Sequence, residues 1–238
     1  MDSLLAEARR IMVIMAHPDD IEIQCGGTVA RLIGAGKKVT YVLCTSGNRG
    51  TMEAGLTIAE LAAIREAEQQ AAASKLGVKE VIFLGYGDGA LAFELPKLRQ
   101  HLVALLRQHR PQIIFTHDPF AGLGSYEVCY MHPDHRAVGE AVVQAAFFCA
   151  PGPLFYPEQL ADGVTPHRST ALCLAMSDRP DLFVDIGQTF GAKVAAIACH
   201  ASQWSRQPDL DGFFRQMAAG NGQKRGIALA EAFKVLKA

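Results

Sequence analysis

The chain has 238 residues, half of them hydrophobic and a fifth charged, with a formal net charge of -1. That length fits one α/β domain of generous size or a domain with an extension, and the composition supports a large core and excludes a disordered chain. Lys and Arg do not cluster, so neither nucleic acid nor an anionic membrane is indicated as a partner.

The start, Met1-Asp2-Ser3-Leu4, lacks the basic region of a secretory leader. The first apolar run, residues 11–16, is too short for a leader core or a membrane span. The six cysteines (25, 44, 129, 149, 173 and 199) contain no Cys-x-x-Cys, and Cys44, Cys149, Cys173 and Cys199 sit among apolar residues. They read as free thiols, and the protein is expected in the cytoplasm.

Residues 11–16 read as a buried strand, and 26–36 as a helix closed by glycine. Strand 38–45 follows, then an Ala/Glu/Gln-rich helix over 57–76 that ends at Gly77, then strand 80–84. Residues 94–109 form an amphipathic helix with Leu98, Leu102, Leu105 and Leu106 on one face. Strand 112–116 and helix 134–149 complete the regular part. Beyond Pro151-Gly152-Pro153 the pattern loosens. There 171–175 and 182–184 read as strands, and 189–201 and 224–236 as helices. The alternation predicts an α/β, Rossmann-like three-layer sandwich with a mostly parallel sheet and right-handed crossovers. Residues 1–150 form its core and 151–238 an extension of the same domain.

Four strands end in polar or glycine-rich loops, at 17–20, 45–51, 85–89 and 117–135. A parallel sheet gathers such loops on one rim, where α/β ligands bind. The first loop holds His17-Pro18-Asp19-Asp20 and the last holds His132-Pro133-Asp134-His135. Either alone admits an ordinary reading: His17 as a strand-end histidine, Asp20 as a helix-side cap, Pro133 and Asp134 as a helix entry. Together they offer two imidazoles and a carboxylate, with acids and bases to spare. Three N/O ligands and an open position are the pattern of catalytic zinc, though similar ligands accept iron, cobalt or manganese. Asp134 is a candidate to hold an imidazole in its tautomer. Cys129 is either a plain loop thiol or a soft ligand. His117, His167 and His200 read as satisfied or surface histidines, and Trp204 as packing. The first strand lacks a Gly-x-Gly-x-x-Gly turn, which argues against a nucleotide-binding module.

The first motif and its continuation Glu22-Ile23-Gln24-Cys25-Gly26-Gly27-Thr28 resemble the LmbE-like (PIG-L) zinc deacetylases. So do His132-Pro133-Asp134-His135, Thr45-Ser46-Gly47, the run 61–68, the turn 84–89 and Phe115-Thr116-His117-Asp118-Pro119, with a weaker echo in His200-Ala201-Ser202-Gln203. The likeness covers roughly the first 145 residues well and the rest loosely. It implies a zinc-dependent hydrolase that removes an acyl group, most often acetyl, from an N-acetylated amino sugar or its conjugate. His17, Asp20 and His135 would bind Zn2+. Asp19 would be the general base, and His132 the proton donor and oxyanion partner. Arg65 would touch substrate, although a solvated or ion-paired arginine is the alternative reading. Asp88, in a glycine-rich turn, and Tyr130, two before His132, are further candidates for substrate contact. Relatives often assemble as homo-oligomers, so a homo-oligomer acting on a small molecule is expected. The link 120–131 is longer than the short, glycine-rich one that family members often have. It keeps open a hydratase, or a hydrolase of a non-sugar substrate, on the same metal scaffold.

Overall fold

The computed structural model describes residues 3–51, 55–121, 132–161, 163–223 and 225–237. A short helix, α1 (Ser3–Glu7), leads into β1 (Arg10–Met15), α2 (Asp20–Gly34), β2 (Lys38–Thr45), α3 (Ile58–Leu76) and β3 (Glu80–Tyr86). Then come α4 (Leu95–His109), β4 (Ile113–His117), α5 (Pro133–Gln144), β5 (Ala171–Ala175) and β6 (Leu182–Asp185). The chain closes with α6 (Phe190–Ile197), α7 (Ala201–Trp204), α8 (Leu210–Gln223) and β7 (Ala230–Lys237). The result is a three-layer α/β sandwich on a seven-stranded sheet of order β3-β2-β1-β4-β5-β7-β6.

The five strands from β3 to β5 pair in parallel, with Ile11 opposite both Val39 and Ile113. Strands covered on both faces must be apolar on both. Accordingly Ile11, Val13 and Met15 enter one core with α2, α3, α6 and α8, while Met12 and Ile14 enter a second core with α4 and α5. Helices on the first face carry the chain from β1 to β2 to β3. Those on the second return it to β4 and on to β5. This is the division that right-handed crossovers require.

The elements carry their own punctuation. Thr57 and Glu60 form a reciprocal capping box at the start of α3, and Gly77 closes that helix in the left-handed conformation. Arg107, 1% exposed, donates to the carbonyls of Cys149, Gly152 and Phe155, fixing the turn that follows α5.

Three expectations fail. Helix α2 starts at Asp20, six residues before the predicted start, so the first motif runs directly into it. The predicted helix at 224–236 is a strand instead, and the true helix, α8, lies just before it. Ala230-Glu231-Ala232-Phe233-Lys234-Val235 has good helix formers and no strict apolar/polar alternation, yet it pairs antiparallel with β5 on one side and β6 on the other. Tertiary pairing outweighs intrinsic propensity here. The predicted helix at 189–201 breaks after Ile197 into α6 and α7. Among the described residues Cys25, Cys44, Cys149, Cys173 and Cys199 are free thiols, as expected. No helix among them is long and apolar enough to cross a membrane.

Candidate metal and hydrolytic site

The crossovers leave β1 and β4 in opposite directions, which opens a crevice at the carboxyl ends of these neighbours. His17 follows β1 and His117 ends β4. The backbone N–H of His17 donates to Asp20 Oδ2 (2.8 Å), closing the turn into α2. Asp19, in that turn, has φ 91°, a conformation costing a non-glycine residue about 1–3 kcal/mol. From the other side α5 enters on Pro133, a residue suited to a helix's first position, and places His135 in its first turn. Gly139 lets α5 come this close, because a Cβ there would sit 2.6 Å from the His117 carbonyl oxygen.

Three donors predicted from far apart in the sequence converge. His17 Nδ1 lies 3.4 Å from Asp20 Oδ2, His135 Nε2 3.2 Å from Asp20 Oδ1, and His135 Nε2 3.3 Å from His17 Nδ1. Ligands about 2.0–2.1 Å from a tetrahedral zinc lie ~3.3 Å apart; each of these separations has that length, with His17 and His135 facing different oxygens of the Asp20 carboxylate. His17 Nε2, on the far side of its ring, meets Asp134 Oδ2 (3.3 Å) and Asp88 Oδ1 (3.2 Å). A carboxylate behind a ligating imidazole fixes its tautomer and points the other nitrogen's lone pair at the metal. Asp134 is itself held by the N–H groups of Gly89 (2.7 Å) and Leu91 (3.2 Å). Other groupings that could hold a metal ion are His17 with His132 and His135, Asp20 with His117 and His135, and His17 with Asp88 and Asp134.

Burial and charge oppose each other here. Burial lowers the basicity of His17, but hydrogen bonds to Asp134, Asp20 and Asp88 outweigh it and raise the pKa well above the usual value. Burial would raise Asp20, yet His135 and His117 hold it well below the carboxylate range. Asp88 and Asp134 are also lowered against burial, chiefly by His17. Asp19 goes the other way: burial, then the neighbouring Asp20 charge, push its carboxyl up to about 6 against Arg65. Burial, then the charges of His17 and His135, lower His132.

His17, Asp20 and His135 line a pocket of about 410 Å³ together with Asp19, Arg65, Asp88 and His132. Arg65 is only 4% exposed, so the solvated reading fails; it donates to the carbonyls of Gly47 (2.7 Å) and Pro18 (2.6 Å) and lies 3.6 Å from Asp19 Oδ1. Gly47, at φ 60°, makes room for it, since a Cβ there would meet the guanidinium at 2.5 Å. Asp88 gives its second oxygen to the N–H of Arg49 (2.8 Å). His132 Nδ1 accepts the N–H of Asp134 (3.2 Å), and its ring centroid lies 4.8 Å from those of His17 and His135. Tyr130 and Cys129 lie outside the described residues. A larger cavity of about 450 Å³, beside α8 and β7, has no histidine among its lining residues.

Sequence reasoning passed over several members of the site. His117, 2% exposed, accepts the N–H of Ala16 (3.1 Å) and stacks on His135 with centroids 4.0 Å apart. Burial, then the His135 charge, lower its pKa to about 4, so it is a neutral prop. Its position at a strand's carboxyl end was the available signal. Trp204 is not mere packing: its indole N–H donates to Asp19 Oδ2 (3.2 Å). His200 is fully buried against Glu22 (3.1 Å). Nothing in local spacing announces contacts that span more than 170 residues.

Residues 12–146 match the family model described as PIG-L, GlcNAc-PI de-N-acetylase. The chain is 33% identical over 230 residues to the diacetylchitobiose deacetylase of Thermococcus kodakarensis, covering 96% of this chain and 83% of that protein. It is 36% identical over 174 residues to the 1D-myo-inositol 2-acetamido-2-deoxy-alpha-D-glucopyranoside deacetylase of Streptomyces avermitilis, covering 63% of this chain and 56% of that one. Among solved structures, the N,N'-diacetylchitobiose deacetylase of Pyrococcus horikoshii superposes with a TM-score of 0.89 at 32% identity, covering 99% of this chain and 86% of that one.

Proposed function

Because this chain belongs to the PIG-L (LmbE-like) family, we propose that it is a metal-dependent amidohydrolase that removes acetyl groups from N-acetylated amino sugars or their conjugates. The observation that carries the reading is the convergence of His17 Nδ1, Asp20 and His135 Nε2 within 3.2–3.4 Å of one another, beside a buried carboxylate that is not in the set. Zinc is the assigned metal, with His17, Asp20 and His135 as its ligands; when bound it supplies a Lewis acid that acidifies water and polarises a carbonyl.

The protein's own groups do the rest. Asp19 accepts the proton of the attacking water, and its carboxyl, raised to about 6, is a stronger base than an ordinary carboxylate. Arg65 holds the carbonyl of Pro18 and so the turn that presents Asp19. His132 faces the carbonyl carbon's developing oxyanion. Its Nδ1 is committed to the Asp134 N–H, so the neutral ring carries its proton on Nε2 and donates without a net charge. It passes its Nε2 proton to the departing amine as the proton that Asp19 took from the water returns to the ring, so the relay balances and leaves the ring neutral. Asp134 and Asp88 orient His17 from behind. Water and the amide thus become acetate and a free amine. The soluble, cytoplasmic enzyme so described acts as a homo-oligomer on a small-molecule sugar.

The test is acetate release from N,N'-diacetylchitobiose and N-acetylglucosamine. The reading expects one free amine per acetate, loss of turnover with a chelator and recovery on adding zinc. Metal-loaded protein that releases no acetate from any acetylated amino sugar would refute it.

A further inference from the structure

We propose that α7 positions the Asp19 carboxylate, with Trp204 and His200 as positioning residues; this rests on the reading of Asp19 as the proton acceptor. Two arms reach Asp19 from one turn of chain. His200 sits at the N-terminal cap of α7, and its carbonyl accepts the N–H of Trp204 (2.9 Å), so the two side chains leave one turn of chain. From Trp204 the indole N–H donates directly to Asp19 Oδ2 (3.2 Å), leaving Oδ1 on the side of Arg65. From His200 the path is longer. Its Nε2 meets Glu22 Oε2 (3.1 Å), Glu22 Oε1 accepts from Gln69 Nε2 (3.0 Å), and Gln69 Oε1 accepts the backbone N–H of Asp19 (3.1 Å). Glu22, Gln69 and His200 are all fully buried. One arm therefore sets the carboxylate and the other the backbone of a residue at φ 91°. Such a conformation persists only where its surroundings hold it.

The helix is itself anchored. Ser202 donates from its N–H (2.7 Å) and its hydroxyl (2.6 Å) to Glu68 on α3, and Gln203 donates to the Gly50 carbonyl (2.9 Å) in the loop after β2. The Trp204 ring packs against Phe214 (centroids 5.0 Å apart) and Phe213 (6.0 Å) of α8. The direction of the indole N–H is thus fixed from outside the site. A general base must hold its oxygen within hydrogen-bond reach of the proton that it takes. The contribution of α7 is to keep one Asp19 oxygen occupied and the other aimed.

Trp204→Phe keeps the ring contacts and removes the donor. It should lower kcat about tenfold, with KM within about twofold of wild type and metal content unchanged. Trp204 is the only tryptophan in the chain, so 15N-labelled protein gives one indole N–H resonance. Asp19→Asn, a residue that tolerates positive φ, replaces the charged acceptor by a neutral one, and the resonance should move upfield. A tryptophan that only packs would give the same resonance in both proteins. That result, or full kcat in Trp204→Phe, overturns the proposal. If no acetylated sugar is hydrolysed, the hydrolase reading fails by itself, and the indole resonance still decides whether Trp204 holds Asp19.

Discussion

The parallel part of the sheet, β3-β2-β1-β4-β5, and its antiparallel margin, β7-β6, do different work and are written differently in the sequence. In the parallel part four of the five strands carry chemistry at or just beyond their carboxyl ends: His17 to Asp20 after β1, Gly47 after β2, Asp88 after β3, and His117 as the last residue of β4. The margin carries no ligand of the site. Its Glu231, 3% exposed, accepts from Lys193 Nζ (2.5 Å) and from the N–H groups of Gly27 (3.0 Å) and Thr28 (2.7 Å) inside α2. Lys193 Nζ also donates to the Ile23 carbonyl (2.7 Å). One part holds the reacting groups, and the other grips the helix that begins at Asp20. The difference teaches that rate and stability should separate along the sheet.

Four substitutions break or sharpen that division. Asp19→Ala should lower kcat by about 10²–10⁴ while metal content stays at the wild-type level, measured by acetate release and elemental analysis. Lys193→Met leaves the buried Glu231 charge without its cation, held only by the Gly27 and Thr28 N–H groups, and denaturant unfolding should show a loss of about 3 kcal/mol. The rate of the folded fraction should be nearly unchanged. Gly139→Ala lies where the division is weakest, since its Cβ would press on the carbonyl of His117. It should cost about 1–3 kcal/mol by unfolding and also lower kcat, by moving His135. Thr57→Ala removes the α3 capping box far from the site; it should cost about 1 kcal/mol, a fall of roughly 2–4 °C in melting temperature, at full activity.

Most of the parallel part was legible because its signals are local. Apolar runs bounded by turn residues gave β1, β2 and β4 to within a residue or two, and the two His/Asp motifs sit at strand or helix ends where topology must gather them. In the margin β6 was legible as the apolar run 182–184, but β7 was not, because the identity of residues 230–237 as a strand depends on β5 and β6 being there to pair with. The same holds for the site's outer members. His200, Trp204 and Gln69 act on Asp19 through contacts between distant segments, with no motif that spacing alone could reveal. Arg65 was read as a solvated, an ion-paired or a substrate-facing residue, and burial decided against the first, while the carboxylate it lies near is Asp19, not a neighbouring glutamate.

The central claim is that His17, Asp20 and His135 hold one divalent metal on which amide hydrolysis depends. Metal content and acetate release from N,N'-diacetylchitobiose, measured together on wild type and His135→Ala, test it most directly. The account predicts one metal per chain and turnover in wild type, with both lost in the variant. Equal metal content and equal acetate release in the two proteins would contradict it.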